Sequence, residues 1–296
     1  MGRILVVTLG GTICSSVENN DTIKLRTAPD KKIFEALKKK NELSYMTPVL
    51  YSSENADEEC FRKALSAIVN ECEKDKPDGI LILHGTDSMA YFAQLAVRVL
   101  SYLDMPVLIT GSKLPMDDPH SDAVRNINYA MGLLSAACEG KLGAVTFGVV
   151  YSDEMMTDTV FVPASRITDA NFSGDYGKFP GKPSVHTLSR EEVQKYLASP
   201  AKKILTVPDV PGYPYGEIDP AKFDAVLLET YHSGTQSVKG LPELVKKARE
   251  NNIPCFMGPV HQSKVMYDST RTLIDAGAEP LYDIPFEGCW AEVAVS

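Results

Sequence analysis

Residues 79–100 read GILILHGTDSMAYFAQLAVRVL. Gly79 to Leu83 is a short aliphatic run without polar alternation, which predicts a strand buried on both faces. From Ser88 to Tyr102 the apolar residues recur at three- and four-residue spacing, which predicts a helix. A strand feeding directly into a helix is the repeating unit of a parallel sheet. The junction holds three small polar residues, Thr86, Asp87 and Ser88, and these have two readings. They can cap the helix, since each carries a side-chain oxygen able to accept from the orphan N–H groups of a first turn. Alternatively they present a reactive hydroxyl beside a carboxylate.

The same alternation extends in both directions. Ile4 to Thr8, Pro48 to Ser52, Pro106 to Thr110 and Gly143 to Val150 read as further strands. Lys31 to Lys40, Asp57 to Lys74 and Asp122 to Ala137 read as helices between them. A second set follows at Ile204 to Val207, Ala225 to Leu228, Leu241 to Asn251, Ile253 to Met257 and Ser269 to Ala276. Between the sets lies Gly181 to Lys203, polar and interrupted by Pro183 and Pro200. The expected fold is therefore α/β, with a larger parallel-sheet domain over residues 1–185, a linker over 186–203 and a smaller α/β domain over 204–296.

Composition narrows the partners. With 296 residues, 44% hydrophobic and 23% charged, the chain can bury a substantial core. A formal net charge of -9 argues against a nucleic-acid partner or an anionic membrane, both of which need clustered Lys and Arg. The opening MGRILVVTLGG lacks the long apolar stretch and cleavage site of a secretory leader, and no later run approaches membrane-spanning length. A cytoplasmic protein with a small-molecule partner is expected. The six cysteines (Cys14, Cys60, Cys72, Cys138, Cys255 and Cys289) form no CxxC pair, so buried free thiols are expected, with neither a metal nor a cofactor.

Sites in such sheets lie beyond the carboxyl ends of the strands, where the strand order reverses. That rule selects TLGGTICSS, SSENADEE, HGTDS and TGSKLPMDDPHSDA. In the first, Gly10 and Gly11 permit a tight turn that leaves Thr12 on the loop. No GxGxxG or GxxxxGK[ST] pattern is present, which argues against a nucleotide-binding loop. In the second, Ser53 or Asn55 ahead of the acidic run Asp57, Glu58 and Glu59 also reads as a helix cap.

GGTI at Gly10 to Ile13 and HGTDS at His84 to Ser88, in this order with SSEN between them, resemble the bacterial-type L-asparaginases. The similarity spans nearly the whole chain. It implies a parallel-sheet amino-terminal domain joined to a smaller α/β domain, assembled as a homodimer or homotetramer. It also implies hydrolysis of a side-chain amide by two loop threonines. Thr12 would attack the amide, and Thr86, held by Asp87, would help position and deprotonate the attacking group or the water that follows. Ser53 and Glu54, with the loop glycines Gly11 and Gly85, would hold an amino-acid substrate by its carboxylate and ammonium.

The departures from the family are specific. The loop SSVENNDTIKLRT lacks the tyrosine that the family places near the nucleophile. Counting back from Phe172 puts Pro163 where the family has its activating lysine, and the guanidinium of Arg166 makes a poor base. Lys113, after the fourth predicted strand, is a candidate replacement, since a partly desolvated amine can act as a base. An exposed loop cation is the competing reading. His84 is expected to pack or hydrogen-bond beneath its loop, and His120 to reach the site mouth at most. Asp117, Asp118 and Asp122 lack the glycine-centred loop of a calcium site. Tyr231 to Val238 is a candidate to approach a partner subunit's site, while Glu287 and Trp290 are read as surface and packing. Three functions stay open: hydrolysis of asparagine or a related amide, action on a peptide-borne or isomerised aspartate, and amino-acid binding without turnover.

Overall fold

The computed structural model describes residues 2–18, 22–26, 33, 35, 37, 42–142, 147–152, 159–173 and 185–296. The chain divides into two compact units. The first comprises Met1–Gly177 and Thr187–Ser199, the second Lys178–His186 and Pro200–Ser296.

The first unit is built on a six-stranded sheet. Its strands are β1 (Arg3–Thr8), β4 (Glu42–Met46), β5 (Gly79–Leu83), β6 (Val107–Thr110), β7 (Phe147–Ser152) and β8 (Thr159–Pro163). The order is β4-β1-β5-β6-β7-β8, parallel except for the antiparallel β7–β8 pair. A separate hairpin, β2 (Ser15–Val17) and β3 (Ile23–Leu25), stands on the loop after β1. The central strands are buried on both faces, which is why Ile80 to Leu83 could be uniformly aliphatic. On one face Ile4, Val6, Leu81, Leu83, Leu108 and Val150 pack against Ile127, Ala130 and Leu134 of helix α3 (Ala123–Cys138). Helices α1 (Glu58–Lys74) and α2 (Met89–Leu100) supply further buried faces, α2 being buried at nearly every position.

The second unit has a four-stranded sheet of β9 (Ile204–Val207), β10 (Ala225–Glu229), β11 (Cys255–Val260) and β12 (Glu279–Tyr282). All pairs are parallel and the spatial order follows the chain order. Helices α5 (Leu241–Glu250) and α6 (Asp268–Ala276) cover one face, and α7 (Phe286–Val295) the other.

Several sequence expectations are corrected. The predicted strand Pro48 to Ser52 is not one: the edge strand is Glu42–Met46, and Tyr51 makes only an isolated bridge to Gly10. Pro48 has no N–H to offer a ladder, so regular pairing stops before it. The stretch 186–203, read as a linker, contains the helix α4 (Arg190–Ala198), started by a Ser189–Glu192 capping box and grouped with the first unit. Its Tyr196 ring lies 3.9 Å from the Arg62 guanidinium of α1, and Arg62 also donates to the Tyr196 carbonyl. Glu287, read as surface, is 6% exposed, and Trp290 packs against the core beneath α7. The predicted helix over Lys31 to Lys40 is described only at Ile33, Glu35 and Leu37, which are helical, and the start of the strand predicted from Gly143 lies outside the described residues. The six cysteines are free, four of them buried.

Candidate active site

The strand order places the candidate site. β4 lies on one side of β1 and β5 on the other, so the order reverses between β1 and β5 and their loops diverge around a crevice. The sheet of the second unit has no such reversal. Gly10 and Gly11 follow β1 with φ of 116° and 76°, in the left-handed region open to glycine. A Cβ on Gly11 would lie 2.0 Å from the Gly85 Cα, and one on Gly85 would lie 2.4 Å from the Ser53 Oγ. Gly11 and Gly85 thus meet backbone to backbone, and the Ser53 side chain packs onto Gly85, closer than a side chain on either glycine would permit.

Thr12 opens the 3-10 turn Thr12–Cys14 immediately beyond this contact. The turn is closed by the Cys14 N–H and the Ser15 hydroxyl, each donating to the Gly11 carbonyl at 2.9 Å. Ser53 begins a second 3-10 turn, Ser53–Asn55. Its buried hydroxyl donates to Asp87 Oδ2 at 2.6 Å, and the Ser88 hydroxyl donates back to the Ser53 carbonyl at 2.7 Å. The polar HGTDS junction is therefore not a plain helix cap. Ser88 is the N-cap residue of α2 but makes no side-chain cap bond, because its hydroxyl and the Asp87 carboxylate are turned toward the Ser53 loop instead. The cap of α1 is likewise Asp57, accepting from the Cys60 N–H at 2.9 Å, which leaves Ser53 and Glu54 out of the capping role.

The result is a cavity of about 380 Å³ lined by Gly11, Thr12, Ser15, Ile23, Leu25, Ser52, Ser53, Glu54 and Asp87. Of the residues singled out from the sequence, Gly11, Thr12, Ser53, Glu54 and Asp87 are brought together here, with Gly85 in contact behind them. Thr86 is half-buried next to Asp87 and does not line the cavity. Lys113 does not line it either. Its backbone N–H donates to Asp122 Oδ1 at 2.9 Å, and its ammonium makes no hydrogen bond or ion pair among the described residues. The hairpin β2–β3 presents Ile23 and Leu25 at the cavity, and its turn at 19–21 lies outside the described residues. Pro163 ends β8, ahead of a 3-10 turn over Ala164–Arg166.

Three further groups bear on the site. Asp169, on the 3-10 turn after Ile167, has its carboxyl raised above the ordinary aspartate range, by desolvation first and by the Asp87 charge second. His84 is fully buried, and desolvation pushes its pKa down to about 4 against the opposing pull of the Gly85 carbonyl and the Asp87 charge. Tyr51 is 7% exposed, and its hydroxyl lies 2.9 Å from His84 Nε2. Nothing in the sequence signalled Asp169 or Tyr51, since each gains its neighbour only when separate loops converge. The acidic stretch around Asp122 is engaged internally: Asp122 holds the Lys113 and Leu114 N–H groups and Asn126, Asp117 pairs with Arg26, and Asp118 accepts from the His120 N–H. In the second unit, the Tyr231 to Val238 loop lines a shallow cavity of about 640 Å³ together with Pro211 and Tyr267.

Residues 3–158 match the family model described as Asparaginase, N-terminal. The chain belongs to the asparaginase family. Over 319 residues this asparaginase-family chain is 26% identical to a glutamyl-tRNA(Gln) amidotransferase subunit of Saccharolobus solfataricus, covering 95% of the chain and 68% of that protein. A shorter stretch of 85 residues is 39% identical to the L-asparaginase of Thermococcus kodakarensis, 29% of the chain and 24% of that protein. Among solved structures, the thermostable L-asparaginase from Thermococcus kodakarensis superposes with a TM-score of 0.67 at 21% identity, covering 99% of this chain and 92% of that one. The probable cytoplasmic L-asparaginase from Campylobacter jejuni gives 0.69 at 16% identity, covering 100% and 94%. These likenesses establish the asparaginase-like α/β fold. Among the described residues, no helix is long and apolar enough to cross a membrane.

Proposed function

We propose that this asparaginase-family chain hydrolyses the side-chain amide of asparagine or a close relative, with Thr12 as nucleophile. The observation that carries the reading is the Ser53–Asp87 hydrogen bond closing a cavity that Thr12 lines. The Thr12 Oγ attacks the amide carbon while its proton is taken up, ammonia leaves from the tetrahedral intermediate, and water then cleaves the acyl-threonine ester to give the free acid. Glu54 and Asp87 suit the substrate ammonium. The Ser53 hydroxyl, now donating to Asp87, is free to turn to the substrate carboxylate once an ammonium occupies Asp87. Lys113 is the proposed base, supported by its place on the loop after β6, next in the sheet to β5. We place the protein in the cytoplasm, in line with the name of the Campylobacter jejuni neighbour, and assign it a homo-oligomeric state, in line with the family resemblance alone.

A second reading is favoured by the relative that aligns with 95% of the chain, an amidotransferase component. There the amide nitrogen would pass to an acceptor instead of being lost as ammonia. Ammonia release from asparagine, glutamine and short asparaginyl peptides tests the first reading, loss of that ammonia to an added acceptor tests the second, and isoaspartyl peptides, whose hydrolysis frees an amine and no ammonia, are followed by amino-acid release. Release from free asparagine is the expected result. Turnover confined to the isoaspartyl peptides would move the activity to that substrate, and aspartate binding without any turnover would make the chain an amino-acid-binding protein.

A further inference from the structure

Tyr51 ties the two threonine-bearing loops together. Its backbone belongs to the first: Tyr51 N–H donates to the Leu9 carbonyl at 3.0 Å, and its own carbonyl accepts from the Gly11 N–H at 3.2 Å. Its side chain belongs to the second, reaching His84 Nε2 at 2.9 Å. His84 is enclosed by aromatic rings. It stacks on Phe92 with centroids 4.7 Å apart and stands 6.0 Å from Phe61 and 5.5 Å from the Tyr51 ring. His84 Nδ1 lies 2.7 Å from the Gly85 carbonyl.

These contacts settle the tautomer by elimination. A carbonyl only accepts, so Nδ1 carries the proton and donates to Gly85. A neutral ring then has a bare Nε2, which accepts from the Tyr51 hydroxyl. The consequence falls on the next peptide. In a planar trans peptide the C=O and N–H point in opposite directions, so a Gly85 carbonyl held onto His84 turns the Thr86 N–H away from it. That N–H has no acceptor among the described residues, and it sits one residue before the Asp87 that lines the cavity.

We propose that Tyr51 and His84 are positioning residues: the phenol anchors the imidazole through Nε2, the imidazole Nδ1–H holds the Gly85 carbonyl, and the Gly85–Thr86 peptide is thereby oriented for substrate. The proposal deepens the reading of the cavity as an amidohydrolase site and rests on it. Neither residue touches the substrate.

The experiment uses full-length variants with two readouts. The first is the nitrogen NMR signature of the His84 ring together with the Thr86 amide shift, in the free protein and with aspartate added. Tyr51→Phe keeps the ring packing and removes only the donor, so the His84 Nε2 signal is expected to shift toward that of a bare nitrogen while the Gly85 carbonyl keeps the proton on Nδ1, and the Thr86 amide is expected to shift as the ring loses its anchor. The second is ammonia release. Tyr51→Phe is expected to lower kcat at least about fivefold with KM little changed, the size of one lost buried hydrogen bond. His84→Asn places an amide N–H where Nδ1 was and should keep more of kcat than His84→Gln, whose amide occupies the Nε2 position. An unchanged Nε2 signal and Thr86 amide in Tyr51→Phe, or equal losses in the Asn and Gln variants, would overturn the proposal. If the wild-type protein releases no ammonia from any amide, the functional reading fails, while the NMR comparison still decides the positioning role.

Discussion

At the residue scale, the site depends on atoms that are missing as much as on those present. Gly11→Ala would force a Cβ into the Gly85 backbone at 2.0 Å while φ stays at 76°. A cost of about 2 kcal/mol or more and loss of aspartate binding are expected, to be measured by urea denaturation and calorimetry. Thr12→Ala removes the proposed nucleophile without adding bulk. Ammonia release should vanish while aspartate still binds, and residual turnover would assign the attack to another group. For Lys113, Lys113→Met should lower ammonia release at least about tenfold while aspartate still binds. Unaltered ammonia release would strike Lys113 from the mechanism. His84 adds a pH dependence of stability. Its pKa is about 4 in the fold against an ordinary value of 6.5, so the unfolded chain binds more protons between those limits. The stability is complete above pH 6.5 and is lost as the pH falls toward 4, by roughly 3 kcal/mol. His84→Asn should flatten that part of the curve, as denaturation midpoints at pH 7, 5.5 and 4 would show.

At the scale of elements, the buried pair Arg62–Glu58 joins α1 to α4, since Tyr196 donates to Glu58 at 3.2 Å while the Tyr196 carbonyl accepts from Arg62. Arg62→Met leaves the Glu58 charge without its cation and should cost about 3 to 5 kcal/mol in urea denaturation, with much of it recovered by adding Glu58→Leu. This joint also shows what the sequence could reveal. Strands and helices with strong local periodicity, such as Gly79–Leu83 and Met89–Leu100, were legible because every residue carried the same message. Helix α4 was not, because its nine residues are flanked by prolines and carry a high proportion of charge, and the face it buries is defined by Arg62 and Glu58, distant in sequence. The strand read at Pro48 to Ser52 failed for a related reason: Tyr51 is buried by the tie to Gly10 and His84, and its apolar character reports that contact instead of a ladder. Thr12, Ser53, Glu54 and Asp87 were legible as a set because the motifs are contiguous, whereas Tyr51 and Asp169 become neighbours of the site only through folding.

At the scale of the molecule, the strand-order reversal in the first sheet accounts for the cavity's place. A homo-oligomer is expected from the family resemblance. Light scattering at micromolar concentration should report at least a dimer, and a monomer would contradict the assignment.

The placement of α4 also governs how the chain can be made. The first unit is discontinuous, because residues 187–199 return to it after the chain has already contributed 178–186 to the second. A ribosome that has emitted residue 177 has therefore not yet supplied the cover for α1. At ~5–20 residues per second the helix follows on the order of 1 to 4 s later. During that interval Arg62 and Glu58 face water. Gene fragments meant to yield the amino-terminal unit alone should accordingly stop after Ser199, since a product cut near 185 would carry a wet ion pair where the finished protein keeps a dry one.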